Sequence, residues 1–599
     1  MQQKRLILAL LISTAILFIW SYLAPVKPPQ PNSSATTPTS SSTSTPGQAA
    51  QKPDVQQPAQ VLPVGQSQQE PRRAVSVKTP LYEVKLDSKG AEVVSWIVKK
   101  NKDTDREINS VAGSRKQPVP LELVSGEGLK REPREAPLQL VTGDSSTDTI
   151  LLSNNYRVEG ASESGDIGLS LAPGDKKQIK FLLNDKGTGL EVIKTITFDA
   201  ASYSTNVEVS LKRGGQPVPV KLRIGPSIGD QGVQHYSFYS VAPEGIAFVG
   251  DKLERHPAQG INENKSSPDR LAVNGPVDWA GVGDTYFAMV AIPSQHRDGL
   301  EYRTVQYDHT AAGKKDKRYL VSALVPVPAD GRTLLYTGPK DHDLLAHASE
   351  SISGAVQRPI DLGGLIDYGW FGWLSRPLAV PILRSIKWLR DLTNSYGIAI
   401  ILFTIVIYSL FFPLKWRSSK AMKKAQKLAP RMKELQDKIK GMKQTDPRLK
   451  ELQVEQLRLM KEGNPLGGCL PLLIQMPFLF ALYRAITISL DFRQASFLWL
   501  PDLSSGDPLH ILEILMAGTM IVLQLITPAP SADPMQRKMM AIGMPLFMLY
   551  VLWGAPSGLL VYWLVGNIVG FSQQFLINRW TKTEDDSGPP APPAAVGKR

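Results

Sequence analysis

The sequence predicts an α-helical polytopic membrane protein of six transmembrane helices, with a large extracytoplasmic all-β sandwich domain and a cytoplasmic helical hairpin. Three observations predict it. Six apolar runs approach the roughly 20 residues a helix needs to cross a bilayer. A stretch of roughly 270 residues alternates polar and apolar side chains as strands do. Between the first two C-terminal apolar runs lies a segment with fifteen Lys or Arg against five Asp or Glu, a surplus of ten that supplies most of the chain's net +13.

The apolar runs are residues 6–23, 396–414, 466–486, 511–526, 541–553 and 559–576. The fifth is short and the fourth marginal, so both rest on their context. The first, within an anchor over 1–23, is longer than a usual signal-peptide core, and "SYLAPVKPP" offers no A-x-A cleavage site. It is expected to stay uncleaved, with Lys4 and Arg5 holding the N-terminus in the cytoplasm. Residues 24–73 are rich in Pro, Ser, Thr and Gln, the composition of an extended tether.

From 74 to 345 the texture changes to "LYEVKLDS", "LEVIKTITF" and "TNVEVSLKR", read as the β-sandwich domain. Its histidines and those just after it (His235, His256, His296, His309, His342, His347) are scattered, and the chain has no HExxH, GxSxG or Walker A motif. "GVGD", ending at Asp284, resembles an intramembrane protease motif but sits in the soluble stretch, so it reads as a turn. The single cysteine, Cys469, falls inside a predicted span, which excludes a disulfide framework and a Cys-based metal site. No catalytic residue, cofactor or metal is expected.

The 346–395 connector contains "WLSRPLAVPILRSIKWLRDL", an amphipathic helix suited to the outer membrane face; an ordinary surface helix of the β domain is the alternative. In the basic segment, 415–463, apolar residues recur at Ala421, Ala425, Leu428, Met432, Leu435, Ile439 and Met442. That spacing of four and three is a heptad seam. Leu449, Leu452 and Leu459 continue it after "QTDPR", giving an antiparallel hairpin with Pro430 as a kink. Only Trp416 offers a base-stacking ring there, so anionic lipid headgroups fit the charge better than nucleic acid.

Loop charges then order the chain. The N-terminus, the hairpin, "SADPMQRK" and the tail 581–599 lie inside, whereas the β domain, "DFRQASFLWLPDLSSGD" and "GAPSG" lie outside.

The segments "NPLGGCLPLLIQMPFLFALYRA", "DPMQRKMM", "GMPLFM" and "PSGLLVYWLVGNIVGFSQQ" resemble the YidC membrane protein insertases of Gram-negative bacteria. The resemblance implies a five-helix core, 396–580, around a polar groove open to cytoplasm and lipid. Nascent membrane proteins would slide along 396–414 and 466–486, alone or beside the Sec translocon, without nucleotide hydrolysis. Ribosome docking through the short, partly acidic tail has weak support. A transporter or channel is the alternative class, but inverted repeats and paired midplane charges are not found.

Groove residues implied on this reading are Thr404, Tyr408, Ser409, Gln475 and Arg484. The prolines Pro465, Pro471 and Pro477 would loosen the third span, and Gly467 and Gly468 would let helices approach. The family's groove arginine is absent: its position is Tyr408, and Arg484 stands where the family has an aromatic residue. Three roles are open for Arg484: relocated groove charge, a side chain snorkelling to headgroups, or an ion pair with Glu513.

Overall fold

The computed structural model describes residues 70–114, 116–160, 165–233, 241–311, 314–369, 372–442, 446–463, 465–528 and 534–586. The predicted anchor, most of the linker and the tail beyond 586 lie outside the described residues.

Among the described residues the strands form one ten-stranded sheet and two five-stranded sheets. The large sheet contains the meander Lys176–Asp185, Leu190–Asp199 and Ser204–Arg213 and continues through Arg332–Pro339 to Phe287–Pro293 and Val277–Gly283. Alternation produces its packing: along Ser204–Arg213, Val207, Val209 and Leu211 are buried, and the residues between them face outward. Trp96, on a strand of the first small sheet, joins this face, with ring centroids 5.5 Å from Tyr82 and 6.3 Å from Phe198 of the large sheet. The third sheet docks at Gly245, where a Cβ would strike the ring of Tyr302. The strand-rich part is thus a large sheet covered by two smaller ones.

The inward row of Leu190–Asp199 contains Lys194, which is fully buried. Its Nζ donates to the carbonyl of Ala91 (2.6 Å) and to that of Leu138. Burial pushes its pKa down to about 7.

"GVGD" closes a strand and begins a turn: Asp284 follows Val277–Gly283 and accepts the N–H groups of Tyr286 and Phe287, both at 2.8 Å.

The helical part begins with α1 (His342–Val356), capped by Asp341, whose carboxylate accepts from the N–H groups of Asp343 and Leu344. Helix α2 (Gly372–Thr393) is two-faced: Ala379, Ile382 and Ile386 are buried, whereas Trp373 and Trp388 are exposed. Helix α3 (Tyr396–Gly441) runs unbroken from an apolar half into the basic segment, through Pro413 and Pro430. Helix α4 (Arg448–Gly463) packs back on it. Ala425 and Leu435 of the seam are buried with Leu459, and Arg431 pairs with Glu455 at 3.1 Å.

Helices α5 (Pro465–Ile488) and α6 (Ile511–Ile526) follow. The predicted fifth span is assigned as consecutive short pieces, Pro534–Lys538, the π-turn Met539–Gly543 and α7 (Met544–Val551), before α8 (Ser557–Asp586). Among the described residues two helices are long and apolar enough to cross a membrane, within Tyr396–Gly441 and Ser557–Trp580; Ile511–Ile526 is a shorter apolar helix.

The two parts interlock. From the strand-rich part Arg106 donates to the carbonyls of Asp491 and Arg493, each at 2.8 Å. In return Arg493 pairs with Asp230 and donates to the carbonyl of Asn109 (2.7 Å), and Gln494 donates to that of Ser110 (2.9 Å).

Candidate functional site

Helices α3 and α5 pack side by side, and α8 packs against α3. The α3–α5 seam is aromatic: Phe403 stacks on Phe478 with centroids 6.0 Å apart, and Phe411 meets the same ring edge-on at 6.4 Å. Between these rings and the last helix sits a polar cluster. Gln475 donates from Nε2 to the Tyr408 hydroxyl at 3.3 Å, and Tyr562 stands edge-on to Tyr408 with centroids 6.2 Å apart. Gly566 admits this arrangement, because a Cβ there would meet the Tyr408 hydroxyl and ring. Two turns further along α8, Gln573 donates to the Tyr408 carbonyl at 2.9 Å. The Tyr562 hydroxyl turns toward Tyr408 and Gln475, and the Gln573 Oε1 is buried with no hydrogen-bond partner among the described residues. Buried polar atoms are normally paired, so this cluster retains capacity to bind a polar group.

The other expected residues separate. Thr404 is fully buried, and its hydroxyl donates to the Ile400 carbonyl of its own helix at 2.6 Å. Ser409 is exposed and likewise donates to Ile405, at 2.7 Å, away from the Tyr408 cluster.

Arg484 reaches neither the cluster nor Glu513. Its guanidinium lies 3.7 Å from Asp367 in the connector, 5.6 Å from the Tyr483 ring centroid and directly over Gly369, where φ of 76° turns the backbone. Burial disfavours ionisation of Asp367, but Arg484, Arg255, the Gly369 N–H and Lys340 together hold its carboxyl below the usual range. The predicted Arg484–Glu513 pair is not formed, since Glu513 faces the turn before α8. There it lies 3.2 Å from His510 Nδ1 and accepts the Gly554 N–H at 3.3 Å.

Sequence reasoning missed the contribution of α8. Besides Tyr562 and Gln573, Asn567 donates to the Met516 carbonyl (3.2 Å) and to Thr519 Oγ1 (3.1 Å), and Gln574 donates to Ser419 Oγ (3.0 Å). The available signal was three amides inside one apolar run, which in a membrane helix mark contacts between helices or with a polar path. Among the described residues no group of His, Cys, Asp and Glu is arranged to hold a metal ion.

A family model described as "YidC periplasmic domain" matches residues 74–381, and one described as "60Kd inner membrane protein" matches 388–585. The membrane protein insertase YidC of Geobacter sulfurreducens is 32% identical over 428 residues, covering 70% of this chain and 73% of its own. That of Syntrophus aciditrophicus is 30% identical, covering 96% of this chain and 99% of its own. A solved structure of an active YidC insertase covers 84% of this chain and 94% of its own at 17% identity and a TM-score of 0.30. The chain, with its strand-rich periplasmic domain and helical membrane part, therefore belongs to the YidC family of membrane protein insertases.

Proposed function

We propose that this chain inserts nascent membrane proteins, and helps them fold, by letting them slide along a polar groove bounded by α3, α5 and α8. The groove opens to cytoplasm and lipid, works alone or beside the Sec translocon, and uses no nucleotide. On this reading six helices span the membrane, both termini lie in the cytoplasm and the strand-rich domain lies in the periplasm. The α3–α4 hairpin faces the cytoplasm, where its basic surface meets anionic headgroups.

The observation that carries the reading is the polar cluster of Tyr408, Gln475, Tyr562 and Gln573 set among apolar helices, with the buried Gln573 Oε1 still open to a partner. Carrying a polar tail across about 30 Å of hydrocarbon strips its backbone and charges of water without replacement partners. Polar side chains part-way across shorten the dry path. Burial of the client's own apolar segment, at roughly 25 cal/mol per Å², then drives the remainder. A transporter would need paired charges near the midplane, and Arg484, the cation considered for the groove, is engaged by Asp367 instead. We assign Arg484 a positioning role, tying α5 to the connector.

Site-specific photocrosslinking to a stalled nascent membrane protein tests this. Probes at Tyr408 and Gln475 are expected to capture the client, and a probe at Arg484 is not. Absence of crosslinks at both Tyr408 and Gln475 would remove the groove.

A further inference from the structure

Between α5 and α6 the chain reverses sharply at 497–500. Phe497 and Leu500 exchange two backbone hydrogen bonds of 2.9 Å, so the turn is closed. Its first corner residue, Leu498, has φ of 52°, in the left-handed region that glycine ordinarily occupies. Leucine is strained there, and at 76% exposure it regains little by packing within the protein.

The rest of the turn is firmly held. The ring of Phe497 fills the space beside Gly397 at the start of α3, and Leu500 is buried. The Trp499 indole N–H donates to the Asp507 carboxylate at 3.2 Å. Asp507 also accepts from the N–H groups of Leu509 (3.0 Å) and Leu512 (2.8 Å), fixing the entry to α6. Leu509 itself is exposed, as is Ile511, the first residue of α6. A rigid, strained turn therefore presents Leu498, Trp499 and Leu509 together, in direct continuation of an apolar helix.

We propose that this turn is a wedge seated in the hydrocarbon–headgroup boundary of the outer leaflet, its partner a phospholipid surface. The inference rests on the periplasmic placement of the loop given above. Two observations select lipid over a protein partner. Exposed apolar side chains recur from Leu498 and Trp499 through Leu509 and Ile511 to Ile514 and Leu515 of α6, and Trp499 combines an exposed ring with a hydrogen-bonded N–H, the arrangement favoured at headgroup level. The anchoring of Arg493 on Asp230 fixes the root of the same loop to the strand-rich domain, so that domain sets how deep the tip sits.

The test uses the full-length protein in liposomes of phosphatidylethanolamine and phosphatidylglycerol. A spin label is placed at Leu498→Cys in a Cys469→Ser background, and its collisions with oxygen and with a water-soluble nickel chelate are compared. Oxygen collisions are expected to dominate, shifted well above those of a label at Ser505→Cys. Dominance of the nickel chelate shows a turn in water, and protection from both colliders shows a protein cover; either overturns the wedge. An unlabelled check uses brominated lipids, whose quenching of tryptophan fluorescence should be partly lost in Trp499→Phe; unchanged quenching also overturns it. Labelling of Ser505→Cys in intact cells by a membrane-impermeant maleimide reports the placement separately, so a failed topology is distinguished from a failed wedge.

Discussion

Arg493, in the loop between α5 and α6, and Asp230, in the strand-rich domain, form an ion pair in which each side chain is only 3% exposed. The pair is embedded. Asp230 also accepts from Ser110 Oγ (2.6 Å) and the Val111 N–H (2.8 Å), and the Arg493 guanidinium lies 5.6 Å from the Phe287 ring centroid. Removing one partner of such a pair leaves the other charge buried, which costs about 3–5 kcal/mol. Asp230→Ala is therefore predicted to lower unfolding stability by that order in detergent and to expose the 489–510 loop to protease. Asp230→Leu with Arg493→Met should recover much of the loss. Equal stability of Asp230→Ala and wild type in denaturant titration would show that the two parts are not held together here.

Lys194 predicts a pH dependence. Its folded value, about 7, lies below the ordinary 10.5, so between those limits the unfolded chain binds a proton that the folded chain does not. Stability therefore rises with pH through that window, by up to about 1.4 kcal/mol per pH unit for one group, and is independent of this residue below it. Thermal unfolding of the protein between pH 7 and 9 should show a slope of that sign, and Lys194→Met should reduce it, leaving the share of Lys340, whose pKa burial likewise brings down to about 8. A slope that the substitution leaves unchanged belongs to other groups.

Lys194 also marks where the sequence was readable and where it was not. "LEVIKTITF" gave the strand and its inward face through alternation, but that face includes the lysine, whose acceptors Ala91 and Leu138 are far away in sequence. The turn at Asp284 was legible for a local reason, since its carboxylate accepts N–H groups two and three residues on. Gln475 stood out as an amide in an apolar run and Tyr408 as the position of the groove arginine that the family resemblance implies, and the structure brings them into contact. Arg484 was equally conspicuous, but Asp367 lies in a connector more than a hundred residues earlier, and no local pattern reports that pairing. A third sheet and the amides of α8 were missed for the same reason: register and helix facing are set by tertiary contacts.

Gly566 and Tyr408 should be coupled. A Cβ at Gly566 would overlap the Tyr408 hydroxyl and the adjoining ring carbons, so Gly566→Ala forces the ring or the helix to move. Overpacking of this kind costs about 1–3 kcal/mol. Gly566→Ala is predicted to destabilise by that order and to slow insertion of a reporter membrane protein. Tyr408→Phe in the same chain should recover part of the stability loss, because it removes the closest clashing atom, but not the insertion, which uses that hydroxyl. Additive effects in the double variant would separate the two sites.

Leu498→Gly is predicted to leave stability in detergent unchanged or to raise it by up to about 1 kcal/mol. The left-handed backbone penalty of roughly 1–2 kcal/mol for an L-residue disappears, offset in part by the greater freedom of glycine in the unfolded chain. Denaturant titration measures this directly. A loss of stability would show that Leu498 has a packing partner within the protein, contrary to its exposure.

Arg484 and Asp367 test whether a conspicuous cation serves the client or the scaffold. The side chains are 24% and 31% exposed and 3.7 Å apart, so their direct attraction is modest, under about 1 kcal/mol. Arg484 also covers Gly369, whose φ of 76° and lack of a side chain let the guanidinium lie on the backbone; a Cβ there would displace it. If Arg484 acts by tying α5 to the connector, Arg484→Ala, Asp367→Ala and Gly369→Ala should reduce insertion similarly for clients with acidic and neutral tails. The Arg484→Ala, Asp367→Ala double variant should be no worse than either single change. If Arg484 instead attracts the client, only its own substitution should matter, and the loss should grow with each acidic residue in the translocated tail. Insertion assays with a graded series of tails, run on all four variants, decide between scaffold and client by the dependence on tail charge.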